Sequence, residues 1–296
     1  MSNNNVRTSR GPGQRARTFA YLSLAMVLGL VASVLATAGP ASAAVPGLVR
    51  IVASSASNSA DPKTVTATCP AGKRLVGTGA EITGGFGEVV IDDLRPNLGL
   101  TANTVTAYEA DPLAANWRVT AYAICANPLP GLERRKASSA SNSADPKAAT
   151  ATCPSGKRLV GTGAEITGGL GEVVIDDLRP NLGLTANTVT AYEADPLAAN
   201  WRVTAYAICA NPLPGLERWT ASSASNSADP KAATATCPSG KRLTGLGGEI
   251  TGGFGEVVLD DLRPNAGLTA STVTAYEEDP LATSWRVTAY AICATQ

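Results

Sequence analysis

The sequence predicts an all-β protein of three tandem units, each a small antiparallel β-sandwich. Three observations carry that expectation. Cys69, Cys153 and Cys237 are spaced by 84 residues, as are Cys125, Cys209 and Cys293, so the chain repeats with that period. Within a unit, segments such as "TVTATC" (Thr64–Cys69) and "TVTAYE" (Thr104–Glu109) alternate with period two, the spacing of a half-buried strand. Between them lie turn segments, "CPAGK", "TGGFG", "RPNLG" and "EADPLAAN", and no amphipathic helix of useful length.

The repeats are preceded by a different kind of segment. Arg7, Arg10, Arg15 and Arg17 form a basic stretch, Phe19 to Gly39 an apolar run, and Ala41 to Ala44 a small-residue cleavage site. That order reads as a secretory signal peptide over residues 1–44, with an uncleaved membrane anchor as the alternative. Cleavage would remove four of the 24 Lys and Arg and none of the 24 Asp and Glu, leaving a mildly acidic product. No basic cluster stands out, which argues against nucleic acid as a partner. No membrane association is expected after cleavage.

The repeats divide at residues 45–128, 129–212 and 213–296. Ala53–Arg134 and Ala137–Arg218 differ at four positions only, among them Phe86 and Leu170. Repeat 3 has drifted further, with Thr244 for Val160 and Gly248 for Ala164. An 84-residue unit with a disulfide is large enough to fold alone, so three separate beads are expected. The alternative is one three-fold β-prism.

Each unit reads as five or six strands. Besides the two alternating segments, "KRLVGTGAEIT" (Lys73–Thr83), "EVVIDDL" (Glu88–Leu94) and "WRVTAYAICA" (Trp117–Ala126) are strands, and an edge strand precedes the Asp61-Pro62 turn. In the last strand Trp117, Val119, Ala121, Ala123 and Cys125 share one face. Cys69 shares its face with Val65 and Ala67. Both cysteines thus lie on apolar faces, which suits a Cys69–Cys125 bridge and, by period, Cys153–Cys209 and Cys237–Cys293. Each would close a loop worth roughly 4 kcal/mol in the chain-entropy model. Trp117 is expected inside, packed beside the sulfur bridge.

For chemistry the residues offer little. The chain has no histidine, which removes His-based triads and His-ligated zinc. Oxidised cysteines leave no thiolate. "GTGAEITGGFG" lacks the helix that a nucleotide-binding loop needs, and "CPAGKR" lacks the Ser or Thr of a P-loop. The glycines of both segments read as strand kinks and tight turns. Asp92 and Asp93, near Glu88 and Arg95, form a weak calcium candidate or an acid/base pair, against the simpler reading of a solvated strand end. No cofactor is implied.

The outward faces supply the candidate binding residues. Thr106 and Tyr108 line one strand beside Thr104, and Arg118, Thr120 and Tyr122 line the last. The later repeats contribute Tyr192, Tyr206, Tyr276 and Tyr290. Placed side by side, they would form a flat threonine/tyrosine surface suited to recognition.

The pattern of Cys69, Pro70, Gly72, Lys73, Gly77 and Gly79 followed by Ala123–Ala126 resembles a widespread type of secreted actinobacterial protein of unassigned function. The likeness covers each repeat and implies a β-fold and location outside the cell. The Cys-Pro-x-Gly start is also similar, faintly, to the vitelline-membrane outer-layer protein fold. Together these readings point to a non-enzymatic, multivalent binding module, secreted or associated with the cell wall, for an extracellular glycan or protein. The alternatives are a structural envelope protein without a ligand and a carboxylate-dependent hydrolase.

Overall fold

Each repeat folds into six strands. Repeat 1 supplies β1 (Val49–Ser54), β2 (Lys63–Thr68), β3 (Arg74–Thr83), β4 (Val89–Pro96), β5 (Ala102–Glu109) and β6 (Arg118–Ala126). Repeat 2 supplies β7 (Glu133–Ser138), β8 (Lys147–Thr152), β9 (Arg158–Thr167), β10 (Val173–Pro180), β11 (Ala186–Glu193) and β12 (Arg202–Ala210). Repeat 3 supplies β13 (Glu217–Ser222), β14 (Lys231–Thr236), β15 (Lys241–Thr251), β16 (Val257–Pro264), β17 (Ala270–Glu277) and β18 (Arg286–Thr295). The computed structural model describes residues 45–296, so the signal-peptide reading of residues 1–44 lies outside the described residues.

Within a repeat the strands form two antiparallel trios. In repeat 1 these are β1-β6-β3 and β2-β5-β4, packed face to face as a sandwich. The Cys69–Cys125 bridge ties the end of β2 to β6 and so links the two layers; Cys153–Cys209 and Cys237–Cys293 do the same in the other repeats.

The sandwiches are not separate beads. Each trio continues into a trio of another repeat, giving three six-stranded sheets: β2-β5-β4-β9-β12-β7, β13-β18-β15-β10-β11-β8 and β1-β6-β3-β16-β17-β14. Repeat 1 thus joins repeat 2, repeat 2 joins repeat 3, and repeat 3 returns to repeat 1. The arrangement is the closed three-fold alternative to the bead string. The physical reason lies in β3 and β4, which would be open edges in an isolated repeat. Pairing each with its counterpart in a neighbour satisfies those backbone groups. One hydrophobic core runs through all three repeats.

The joins are short. β4 meets β9 at two residue pairs only, Asp93–Glu165 and Leu94–Ala164, and the other two joins repeat this. Such a brief ladder needs close backbone approach, and glycines supply it. A Cβ on Gly77, Gly161 or Gly245 would lie 2.1, 2.0 or 2.4 Å from a backbone oxygen of another repeat. These three glycines face one another where β3, β9 and β15 converge. The "GTG" motif is therefore a close-approach device rather than a strand kink. Beside it, Thr78 Oγ1 donates to the Thr162 carbonyl at 2.8 Å and Thr162 Oγ1 to the Leu246 carbonyl at 2.5 Å. Repeat 3 carries Leu246 at the third position and cannot complete the ring; Thr244 Oγ1 bonds the Ile292 carbonyl at 3.2 Å instead.

Trp117, Trp201 and Trp285 are fully buried. Trp117 Nε1 donates to Glu109 Oε1 at 2.7 Å, and Lys63 Nζ lies 3.6 Å from the ring centroid. The indole thus has both its polar edge and its face engaged, which a buried Trp requires.

Replacing Gly77 by Ala should destabilise the fold by about 3 kcal/mol or more, because the clash is with backbone that cannot rotate away. Gly99→Ala, whose Cβ would meet nothing closer than 3.9 Å, should be near neutral. Urea unfolding of both variants checks the contrast.

Candidate functional site

Two features repeat three times and concentrate chemistry: the seams between repeats, and one end of the three-fold axis.

Each seam is an acidic strand junction closed by an arginine and a tyrosine. Between repeats 1 and 2, Arg95 Nη1 pairs with Glu165 Oε1 at 3.3 Å, and the Tyr206 hydroxyl donates to Glu165 Oε2. Arg134 reaches across to the Pro96 carbonyl at 2.7 Å while its guanidinium covers the Tyr206 ring at 4.9 Å. The same set recurs as Arg179, Glu249, Tyr290 and Arg218, and as Arg263, Glu81, Tyr122 and Arg50. Burial pushes the three tyrosine hydroxyls above their ordinary range, and the hydrogen bond to glutamate adds to the rise.

This geometry revises the expected threonine/tyrosine surface. Tyr122, Tyr206, Tyr290, Thr120 and Thr106 are buried. The tyrosine hydroxyls serve the seam, and Thr120 bonds Ser54 at 2.9 Å. They fail to form an open face because the last strand of a repeat does not lie beside that repeat's own Thr104–Tyr108 strand. It lies in another sheet, between β1 and β3 of its own repeat. What remains outward is a threonine ladder, Thr66–Thr104, Thr150–Thr188 and Thr234–Thr272, each at 2.9 Å between hydroxyls, together with exposed Arg118.

Asp92 and Asp93 sit inside the seam at 6% and 8% exposure, not at a solvated strand end. Asp92 is the extra residue at a register shift in the β4–β5 ladder, which turns it inward. Burial raises Asp92 to about 8, with Asp93 and Glu165 adding and Arg95 opposing. Asp93 rises to about 6, because its bond to Thr106 and the charge of Arg95 offset part of its burial. Asp176 and Asp260 are raised in the same way, by burial first.

The second feature lies where the β3–β4 loops gather. Val90, Val174 and Val258 meet in a small apolar layer, with Tyr108, Tyr192 and Tyr276 packed against it. Above it are Phe86, Leu170 and Phe254, exposed at 71%, 68% and 72%. Phe86 sits edge-on to Tyr276 with centroids 5.9 Å apart, and Phe254 to Tyr192 at 6.0 Å, so each aromatic contact joins two repeats. Their φ angles of 39°, 43° and 38° lie in the left-handed region that favours glycine.

A cavity of about 60 Å³ opens at this end, lined by Glu88, Asp111, Asp195, Glu256, Glu278 and Asp279. Glu88 and Glu172 are raised by burial and then by acidic neighbours. Glu278 is raised to about 7 by burial and by Glu256, Asp195, Asp111 and Glu88. None of these carboxylates takes part in a salt bridge among the described residues.

Sequence reasoning singled out Tyr108, Tyr192 and Tyr276, which do gather here, but missed the ring above them. The available signal was Phe86 itself, a large apolar residue flanked by glycines in "GGFG". No protein-family model matches the chain, and no curated protein does.

A carboxyl whose folded value exceeds its unfolded value of about 4 takes up a proton on folding. The fold therefore loses stability as pH rises from about 4 toward the raised value of about 8 at Asp92. Denaturation should show a more stable protein at about pH 5.5 than at about pH 8.5. Asp92→Asn should raise stability at the higher pH by about 1 kcal/mol or more and shrink the difference.

Proposed function

We propose that this chain is a secreted, non-enzymatic binding module acting on a glycan or protein outside the cell. The observation that carries this reading is the ring of Phe86, Leu170 and Phe254, large apolar side chains held in solvent at backbone angles that disfavour them. Core packing does not explain them, whereas contact with a ligand would. Because the repeats form a closed ring, the three copies of this contact converge on one face. Their spacing is fixed by the fold rather than by linkers, which favours simultaneous engagement. The three disulfides suit an oxidising compartment.

The hydrolase reading draws less support. A catalytic carboxylate must reach its substrate, and Asp92 and Asp93 are enclosed by the seam. The structural-spacer reading draws on the shared core, the disulfides and the contacts of Phe86 and Phe254 across repeats, but it does not account for the large part of each ring side chain left in solvent.

Incubating the mature chain with a glycan array and with the surface of the cells that export it tests the proposal. Saturable retention, lost when Phe86, Leu170 and Phe254 are all changed to Ser, is the expected result. Absence of saturable retention on either would favour the structural role.

A further inference from the structure

Deepening the binding reading above, we propose that the exposed ring takes a basic segment of another polypeptide, with a lysine or arginine in the central cavity and apolar neighbours against Phe86, Leu170 and Phe254. The apolar ring supplies the contact area, and charge complementarity supplies the choice of occupant. Seven carboxylates surround the axis here: Glu88, Glu172 and Glu256, Asp111, Asp195 and Asp279, and Glu278. The influences on Glu88, Glu172 and Glu278 are burial and other carboxylates, with no cation among them. Glu278 Oε2 is enclosed and has no hydrogen-bond partner. A cationic side chain would relieve this repulsion.

Size and geometry narrow the partner further. A small cavity lined almost wholly by carboxylates suits an ammonium or guanidinium group better than a neutral sugar ring. Among the described residues no three carboxylates are placed to hold one metal ion together, so a charge spread over several hydrogen-bond donors fits better. An anionic lipid surface would be repelled. The face is also unobstructed by the described chain ends. Val45 bonds to Thr295, and Gln296 to Gly240. Those residues lie with the start of β15, whereas the ring stands beyond the far ends of the equivalent strands, about 30 Å away at 3.3 Å per strand residue.

At the other end Lys73, Lys157 and Lys241 are basic, but they are bonded to the Gly47, Gly131 and Gly215 carbonyls of their own chain. A second copy of the chain is therefore the weaker candidate.

The test uses the mature chain and a short fluorescent peptide of alternating lysine and leucine, with a glutamate/leucine peptide as control. The lysine peptide should bind saturably, one per chain, and more weakly as salt rises. Changing Glu88, Glu172 and Glu256 together to Gln should weaken binding at least tenfold, as should changing Phe86, Leu170 and Phe254 together to Ser. Each variant is first checked for an unchanged unfolding transition; if the Gln set unfolds, Glu278→Gln replaces it. Four results would overturn the inference: no saturable binding, three peptides per chain, affinity unchanged in either variant, or equal binding of the control peptide. Two further results would assign the face differently: calcium or spermidine displacing the peptide at the same concentration as a free lysine amide, or self-association that the same variants abolish. Surface retention without peptide binding would sink this inference alone, while loss of both would sink the binding reading beneath it.

Discussion

Three glycines meeting at one axis are the constraint on which the rest of this fold depends. At Gly77, Gly161 and Gly245 the backbone of one repeat lies where a side chain of the next would have to be. That proximity lets β3, β9 and β15 converge and brings each within pairing distance of its neighbour's β4-type strand. A second set, Gly79, Gly163 and Gly247, performs the same service at the joins, where a Cβ would lie 2.7, 2.7 and 2.1 Å from a leucine carbonyl oxygen. With the backbones this close, two residue pairs per join suffice, because side chains complete it. Arg134, Tyr206, Glu165 and Arg95 bridge the first seam, and the same set bridges the other two. Remove the close approach and those side chains lose their partners together.

The disulfides act at a different level. Cys69 ends a strand of the sheet shared with repeat 2, while Cys125 belongs to the sheet shared with repeat 3. Each bridge therefore holds two sheets against one sandwich core, and three bridges hold all three sheets to one another. The buried Trp117, Trp201 and Trp285 fill those cores, and each is fixed by a glutamate on its edge and a lysine over its face. Cross-linking belongs to the repeat and close approach to the ring, so neither substitutes for the other.

Much of this was legible in the letters. Period-two alternation located the strands, and the face shared by Val119, Ala121, Ala123 and Cys125 is indeed buried. What alternation could not reveal is which strands are neighbours. Tyr122 and Thr120 alternate outward from their own sandwich, so they read as solvent-facing; Arg50 over the Tyr122 ring, Glu81 at its hydroxyl and Ser54 against Thr120 enclose them instead. Asp92 reads as a strand end for the same reason, and only the register shift beside it places it inside the seam. The end-face ring was hidden because its members stand 84 residues apart, and sequence spacing does not say that a three-fold axis brings them together.

Small-angle scattering of residues 45–296 tests the closed ring most directly. A single body of this length has a radius of gyration of about 18 Å. Three linked beads of 84 residues, each of about 12 Å, would give roughly 25 Å or more when strung out. The shared-sheet account predicts the smaller value, unchanged with salt; the larger value, with a profile that varies as the linkers flex, would contradict it.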